Sequence, residues 1–371
     1  MKQTGPCVTL CLALALSAAG GGCTAKFSRA VKRHGYLYYG SSFPQGILGH
    51  FRVDLDAGTL SEDTNDIPLL YQGAGVQISP GISPPFFPTN GLVWLPSSLT
   101  QSILVARINA ATGGLIYADQ GFADAAVTAL AVDPSHRFMV GFNTVSTPVK
   151  AFSLDEAGTP VLINSQSLGG SFPVRAAFSS TGNFLFVATN SSGIVTLPFN
   201  TSTGSLSAFT STSPLGGGTA IKIEAHPREQ ILIGAFNTSL TIQSMAINGS
   251  TGALTGVQSE SISANISDFT LHPTLDSFYV LKQSSPGEIR AYSINTATGA
   301  FTYASTQVLS QVDVYRSMEI SRDGRFLYAA TDSAVEVFSV SEDGLELSAV
   351  QTLSASGRKD FLTFAAVLQE L

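Results

Sequence analysis

Residues 178–206 read FSSTGNFLFVATNSSGIVTLPFNTSTGSL, and this stretch decides the fold. A run rich in Phe, Val and Thr (184–189) is followed by a Ser/Gly break, a second apolar run (194–199) and the turn Asn200-Thr201-Ser202-Thr203-Gly204. β-Branched and aromatic runs bounded by Gly, Asn and Ser mark consecutive antiparallel hairpins. Gly204 suits such a turn because it takes positive φ without a Cβ clash, while Asn and Thr side chains bond the turn backbone. One unit of this kind leaves two apolar sheet faces uncovered, so it must stack on copies of itself.

The copies are present. FRVDLDAGTL, ARINAATGGL, FSLDEAGTPV, LPFNTSTGSL, SMAINGSTGAL, YSINTATGAF and FSVSEDGLEL share the strand and turn, with turn glycines Gly58, Gly113, Gly158, Gly204, Gly252, Gly299 and Gly344. Their spacings are 55, 45, 46, 48, 47 and 45 residues. A second strand–turn–strand element precedes most copies, as in VDPSHRFMVGF, AHPREQILIGA, LHPTLDSFYVL and ISRDGRFLYAA. Four strands at this period predict an all-β, seven-bladed β-propeller of four-stranded antiparallel blades. Blade boundaries fall near Gln72, Phe122, Phe172, Thr219, Asn265 and Val314. Nothing strand-like precedes the first strand of blade 1 (36–39), whereas the tail DFLTFAAV (360–367) has no hairpin partner. The tail is therefore expected to join blade 1 as its inner strand and close the ring, removing the exposed edges.

The widest spacing carries the insert GAGVQISPGISPPFFPTN (73–90). Its Pro and Gly residues argue against a regular strand, and Phe86 and Phe87 give it apolar surface. Two roles stand open: a binding loop on a rigid scaffold, or a cover for the seam between blades 1 and 2.

The chain has 371 residues, 12% charged, with 35 glycines and a net charge of −7. This suits a large β domain, and an acidic balance without basic clusters argues against a nucleic-acid partner. Mean hydropathy is +0.24, which raises a transmembrane barrel, but the regular Asx–Gly turn period fits one poorly. At the N-terminus, Met1-Lys2, an apolar run (8–19) and Gly20-Gly21-Gly22 lead to Cys23. That pattern is a signal peptide, too short for a membrane span. The small residues before Cys23 resemble a bacterial lipobox, with Gly20 where a large aliphatic residue is usual. Cys7 and Cys11 lie inside the removed segment, so Cys23 has no intramolecular disulfide partner. The reading is a signal peptide (1–22), a lipidated Cys23 with a linker (23–34), and a propeller (35–371). Ordinary secretion with cleavage near Ala19 is the alternative. A monomer in the cell envelope, membrane-attached through Cys23, is expected.

FVATN followed by GIVTLPFN resembles the YVTN-type bacterial propeller repeat. HPTLDSFYVLKQSSPGEIRAYSINTATGAF and SRDGRFLYAATDSAVEVFSV resemble the seven-bladed lactonase family, which includes 6-phosphogluconolactonases and muconate-lactonising enzymes. The resemblance covers about residues 36–367 and implies a lactone-opening site. Departures stand at the family's polar positions. Lys282-Gln283 replaces Asn-Glu in blade 6, Ala330-Thr331-Asp332-Ser333 replaces Ser-Asn-Arg-Gly in blade 7, and Ile266-Ser267-Asp268 replaces Pro-Arg-His. Pro173-Val174-Arg175 is a partial echo of that last motif.

Propellers bind ligands at the mouth of the central channel, beside the inner strands. These strands read TALAV, VRAAF, IKIEA, SDFTL and RSMEI. Strand alternation gives Arg175, Lys222, Glu224, Asp268 and Glu319 one parity and Arg316 the other. Asp360 and Arg358 belong to the closing strand, in unknown register. These scarce charges form a candidate site for a polar or anionic small molecule, or for polarising a lactone carbonyl. The competing reading is inter-blade ion pairing, Lys222 with Asp268 for example. His136, His226 and His272 are turn residues, His50 either faces the channel or sits at a blade rim, and Trp94 fills a blade seam. No metal-ligand spacing occurs, and no cofactor is expected. Two functions follow. One is a non-catalytic scaffold for a polar small molecule or an envelope protein, using the channel mouth and the 73–90 loop. The other is a divergent lactonase with Arg175, Lys222, Asp268 and Arg316 as carbonyl-polarising and water-orienting groups.

Overall fold

The computed structural model describes residues 34–41, 47–62, 67–68, 77–78, 92–97, 102–109, 111–117, 122–123, 127, 129–143, 148–155, 158–191, 193–213, 220–311, 313–355, 359 and 361–365. All fall in one compact unit, Lys32–Leu371. They form seven antiparallel sheets, each numbered here as a blade in chain order. Blades 3 to 7 each run strand by strand from inside to outside, blade 5 for example through Ala220–Ala225, Ile231–Phe236, Thr241–Ile247 and Leu254–Ser261. The second strand of each is buried on both faces over nearly its whole length, as Ile231–Phe236 and Phe184–Thr189 are, because a blade in the stack is covered on both sides.

The repeated turn works as its residue types require. Asn200 Oδ1 accepts hydrogen bonds from Ser202 N (2.9 Å) and Thr203 N (3.0 Å), and Gly204 N donates to Asn200 O at 2.7 Å. Gly204 has φ +74°, and a Cβ there would collide with the ring of Phe138, the first residue of the second strand of blade 3. The same contact recurs around the ring: Gly113 on Tyr36, Gly158 on Leu92, Gly252 on Phe184, Gly344 on Ser277 and Gly58 on Phe326. Several turn-glycine carbonyls also accept a bond from the preceding blade: Tyr38 to Gly113 O (2.6 Å), Trp94 Nε1 to Gly158 O (2.7 Å) and Tyr279 to Gly344 O (2.8 Å). Each such bond contributes about 0.5–1.5 kcal/mol net. Trp94 is thus the expected seam filler.

The two chain ends meet in blade 1. Phe361–Ala365 pairs antiparallel with His34–Ser41, with Leu37 opposite Phe364 and Tyr39 opposite Leu362, which fixes the closing strand's register. Blade 7 then abuts blade 1. Leu60 N donates to Gln351 Oε1 (2.7 Å), Gln351 Nε2 donates to Leu60 O (3.0 Å), and Arg325 donates to Leu55 O. Leu37, Phe51 and Val53 share one buried cluster with Phe326, Tyr328, Val335 and Val337.

Two expectations are corrected. The 73–90 insert does contain a strand: Gln77–Ile78 pairs with Val93 and Trp94 as the inner strand of blade 2, placed between its glycines and prolines. Phe122–Ala123 does not open blade 3; it pairs with Ser102 and Ile103 as a second outer segment of blade 2, and blade 3 begins at Ala129. The rest of the insert, Cys23 and the leader, Arg358 and Asp360 lie outside the described residues.

Candidate functional site

The inner strands bring the charges of three consecutive blades together. Lys222 Nζ lies 2.8 Å from Glu224 Oε1 and 3.0 Å from Asp268 Oδ1, and donates to Phe269 O at 2.7 Å. Asp268 is engaged at both oxygens. Oδ1 accepts from Phe269 N (2.8 Å) and Oδ2 from Met318 N (2.9 Å). Glu224 Oε2 accepts from Leu271 N at 2.9 Å. The physical cause is the open edge of an innermost strand, whose N–H and C=O groups have no ladder partner. Counting back from the turn dipeptide, Lys222 and Asp268 occupy the same position, and each reaches the peptide of the next inner strand. Ser317 is their counterpart in blade 7, and its hydroxyl donates to Lys359 O at 3.1 Å.

Arg175 holds that position in blade 4 and breaks the pattern. Its Nη1 turns back onto Val174 O at 2.8 Å, and among the described residues no carboxylate lies within 4.0 Å of the guanidinium. Burial pulls its pKa down and the field of Asp268 partly restores it. Lys222 responds oppositely: burial disfavours its charge, but Asp268, Glu224 and Glu319 together hold its pKa above the ordinary value. Glu319, at the position of Glu224 two blades on, is pushed up to about 8 by burial and by Glu224 and Asp268, against the pull of Lys222. The four charges of blades 5 to 7 therefore act on one another, as strand parity anticipated, and the Lys222–Asp268 pair bridges two blades.

Arg316, of the other parity, makes a two-pronged pair with Asp332 at 2.9 Å per contact, in the turn where the resemblance would place Ser-Asn-Arg-Gly. His50 is buried between Tyr36 and Tyr38, its Nε2 3.0 Å from Thr112 O in blade 2, so it faces a blade seam. His226 and His272 sit in the inner turns, each accepting backbone N–H bonds at Nδ1. At this turn end a cavity of about 330 Å³ opens between Ala131, Ala177, Ile223, Leu271 and Pro273, with Glu224 on its wall. Among the described residues no group of three or more His, Cys, Asp and Glu side chains is placed to hold a metal ion, and no helix is long and apolar enough to cross a membrane.

Sequence reasoning found these charges and the Lys222–Asp268 pairing, but not their bonds to the backbone of the neighbouring strands. The inter-strand reach depends on bulges at Pro173/Arg175, Ala220/Lys222 and Ile266/Asp268, which leave no mark in composition.

Comparison places the chain. Residues 70–223 and 230–360 match the family described as Lactonase, 7-bladed beta-propeller. The fold is similar to a putative 6-phosphogluconolactonase from Bacteroides fragilis (TM-score 0.71, 13% identity, 91% of this chain and 99% of that one). It is also similar to the periplasmic gluconolactonase of Pseudomonas aeruginosa (TM-score 0.68, 15% identity, 90% of this chain and 99% of that one). No curated protein matches the chain in sequence. By the extent of the family match, this chain belongs to the seven-bladed β-propeller lactonase family.

Proposed function

We propose that the chain is an exported propeller, held at the cell envelope by a lipid on Cys23, that binds a small anionic molecule in its axial channel through Arg175. One observation carries the reading. Lys222, Asp268 and Glu224 are engaged with each other and with neighbouring strands, whereas Arg175, at the equivalent place, keeps open donors. A planar guanidinium with open donors fits a carboxylate. Family membership supports sugar acids, the ring-opened products of lactones, as the first ligands to test.

Isothermal titration of the full chain with aldonates of different length is the experiment. Saturable binding abolished by Arg175→Met is expected. Binding that survives this substitution refutes the reading.

Lactone hydrolysis is the second reading, favoured by Glu319. A carboxyl with its pKa near 8 carries a proton at neutral pH and can serve as an acid beside a cationic group. The Pseudomonas aeruginosa neighbour is a periplasmic gluconolactonase, which supports pairing this fold with lactone chemistry outside the cytoplasm. Acid release from a lactone panel, lost in Glu319→Gln and in Arg175→Met, would establish hydrolysis over binding alone.

A further inference from the structure

Away from the axis, blade 1 carries a second cluster with no role in the reading above. The registers His34 opposite Asp54, Tyr36 opposite Arg52 and Arg52 opposite Ser61 put His34, Arg52, Asp54 and Ser61 on one face of the sheet, the face toward blade 2. The opposite face carries Leu37, Phe51, Val53 and Leu60 into the seam with blade 7. Between these polar side chains and Thr59 lies a cavity of about 270 Å³. At about 30 Å³ per water it has room for a small ligand and ordered solvent.

Arg52 is the informative residue. Its Nε is buried without a hydrogen-bond partner, and no carboxylate lies within 4.0 Å of its guanidinium among the described residues. Buried donors are almost always satisfied, so an orphaned guanidinium nitrogen on a cavity wall marks the place of a missing acceptor. Asp54, the acidic lining residue, directs Oδ1 to the turn instead, accepting from Asp56 N (2.9 Å) and Ala57 N (3.1 Å). The Thr59 and Ser61 hydroxyls on the same wall can donate as well. Donors converging from two adjacent strands and the turn that joins them match a tetrahedral oxyanion better than a planar carboxylate, which offers two oxygens.

We propose that the cavity framed by His34, Arg52, Thr59 and Ser61 is an off-axis binding site for a phosphate group. The group belongs either to a soluble phosphomonoester or to a membrane headgroup, since Cys23 lies a short stretch of sequence ahead of His34. Asp54 at the margin selects a ligand with a hydroxyl or amine next to the phosphate.

The test titrates inorganic phosphate into the full chain, followed by calorimetry and thermal melting. Saturable binding and a raised melting temperature are expected. Arg52→Met weakens binding by roughly tenfold or more, the loss of one charge-assisted contact, and Arg52→Lys recovers part of it. Should Arg52→Met fail to melt cooperatively, Thr59→Ala and Ser61→Ala give the same reading through the hydroxyls. Absence of saturable binding by the wild type, or equal affinity in the Arg52 and hydroxyl variants, overturns the proposal. Sedimentation with vesicles of phosphatidylglycerol then identifies the source. Binding weakened by Arg52→Met assigns the site to a headgroup, and binding that is indifferent to it assigns the site to a soluble phosphomonoester.

Discussion

Replacing Asp268 by Asn tests what the axial charges do. The carboxylate meets Lys222 Nζ at 3.0 Å and accepts from Phe269 N at 2.8 Å and Met318 N at 2.9 Å, with 16% of the side chain exposed. An amide of the same size offers one acceptor and one donor. In either orientation its NH₂ opposes a backbone N–H, leaving one half-buried donor unsatisfied at about 1–3 kcal/mol. Breaking a fully buried ion pair costs about 3–5 kcal/mol. Here Lys222 keeps Glu224 and Phe269 O and is 26% exposed, which brings that contribution to about 1–2 kcal/mol. The expected loss is about 3 kcal/mol, read as a lower urea midpoint at unchanged slope. Arg316→Gln, which breaks a pair whose Asp332 side is 46% exposed, is the control and loses less than about 1 kcal/mol. In a double-mutant cycle with Lys222→Met, the coupling should be about 1–2 kcal/mol, the part carried by the ion pair. If Asp268→Asn unfolds with the wild type while ligand binding fails, the carboxylate is a functional group and not a bridge between strands.

Gly204→Ala should lose about 2–5 kcal/mol in urea unfolding, the sum of left-handed strain and collision with Phe138, whereas Gly170→Ala, at φ +94° with open space around it, shows the strain alone at about 1–2 kcal/mol. Burial holds His136, His226 and His272 below the ordinary imidazole value of 6.5, so the unfolded chain takes up their protons first. Their stability is present above 6.5 and lost as pH falls through the folded values, a decline that a urea-midpoint series toward acid pH will show. Glu319 has the opposite sign: its carboxyl rises from 4.5 to about 8, so its contribution is complete below 4.5 and is lost as pH rises toward 8, and Glu319→Gln should flatten that limb in the same series. Truncation after Lys359 removes the partner of Tyr36–Gly40 and should shift the chain toward aggregates on a sizing column.

The fold was legible because its period is written in residues with one reason to be there. Asn200, Asn248 and Asn295 each cap a turn through Oδ1, and the following glycine packs under the previous blade. Blade 2 was less so. Two of its segments, Gln77–Ile78 and Phe122–Ala123, are two residues long, and a two-residue strand has no periodicity to detect. The candidate site was legible as a parity and a scarcity of charge. Its internal hydrogen bonding was not, since Lys222 to Phe269 O and Asp268 to Met318 N join residues 47 and 50 apart through bulged strands. His50 stays open between channel and rim in sequence because nothing there shows that Tyr36 and Tyr38 enclose it.

The departures from the family's polar motifs and the bonding of the channel have one explanation. An innermost strand must satisfy an open edge, and a side chain that does so is unavailable to a substrate. In blades 5 and 6 that work falls to Lys222, Glu224 and Asp268, and Asp268 stands where the resemblance would place a Pro-Arg-His motif. In blade 7, Asp332 occupies a turn position of the expected Ser-Asn-Arg-Gly and engages Arg316. Blade 4 keeps the partial echo of the motif, and there the charge stays open, because Arg175 bonds only its own strand. The open cation thus stands on the blade 4 side of the axis, beside a segment where one lysine already answers two carboxylates. Moving the open cation tests this directly: in Arg175→Met combined with Asp268→Asn, Lys222 gains a free donor toward the channel. Partial recovery of aldonate binding over Arg175→Met alone is the expected result, and no recovery would mean that the position of Arg175, not its charge, selects the ligand.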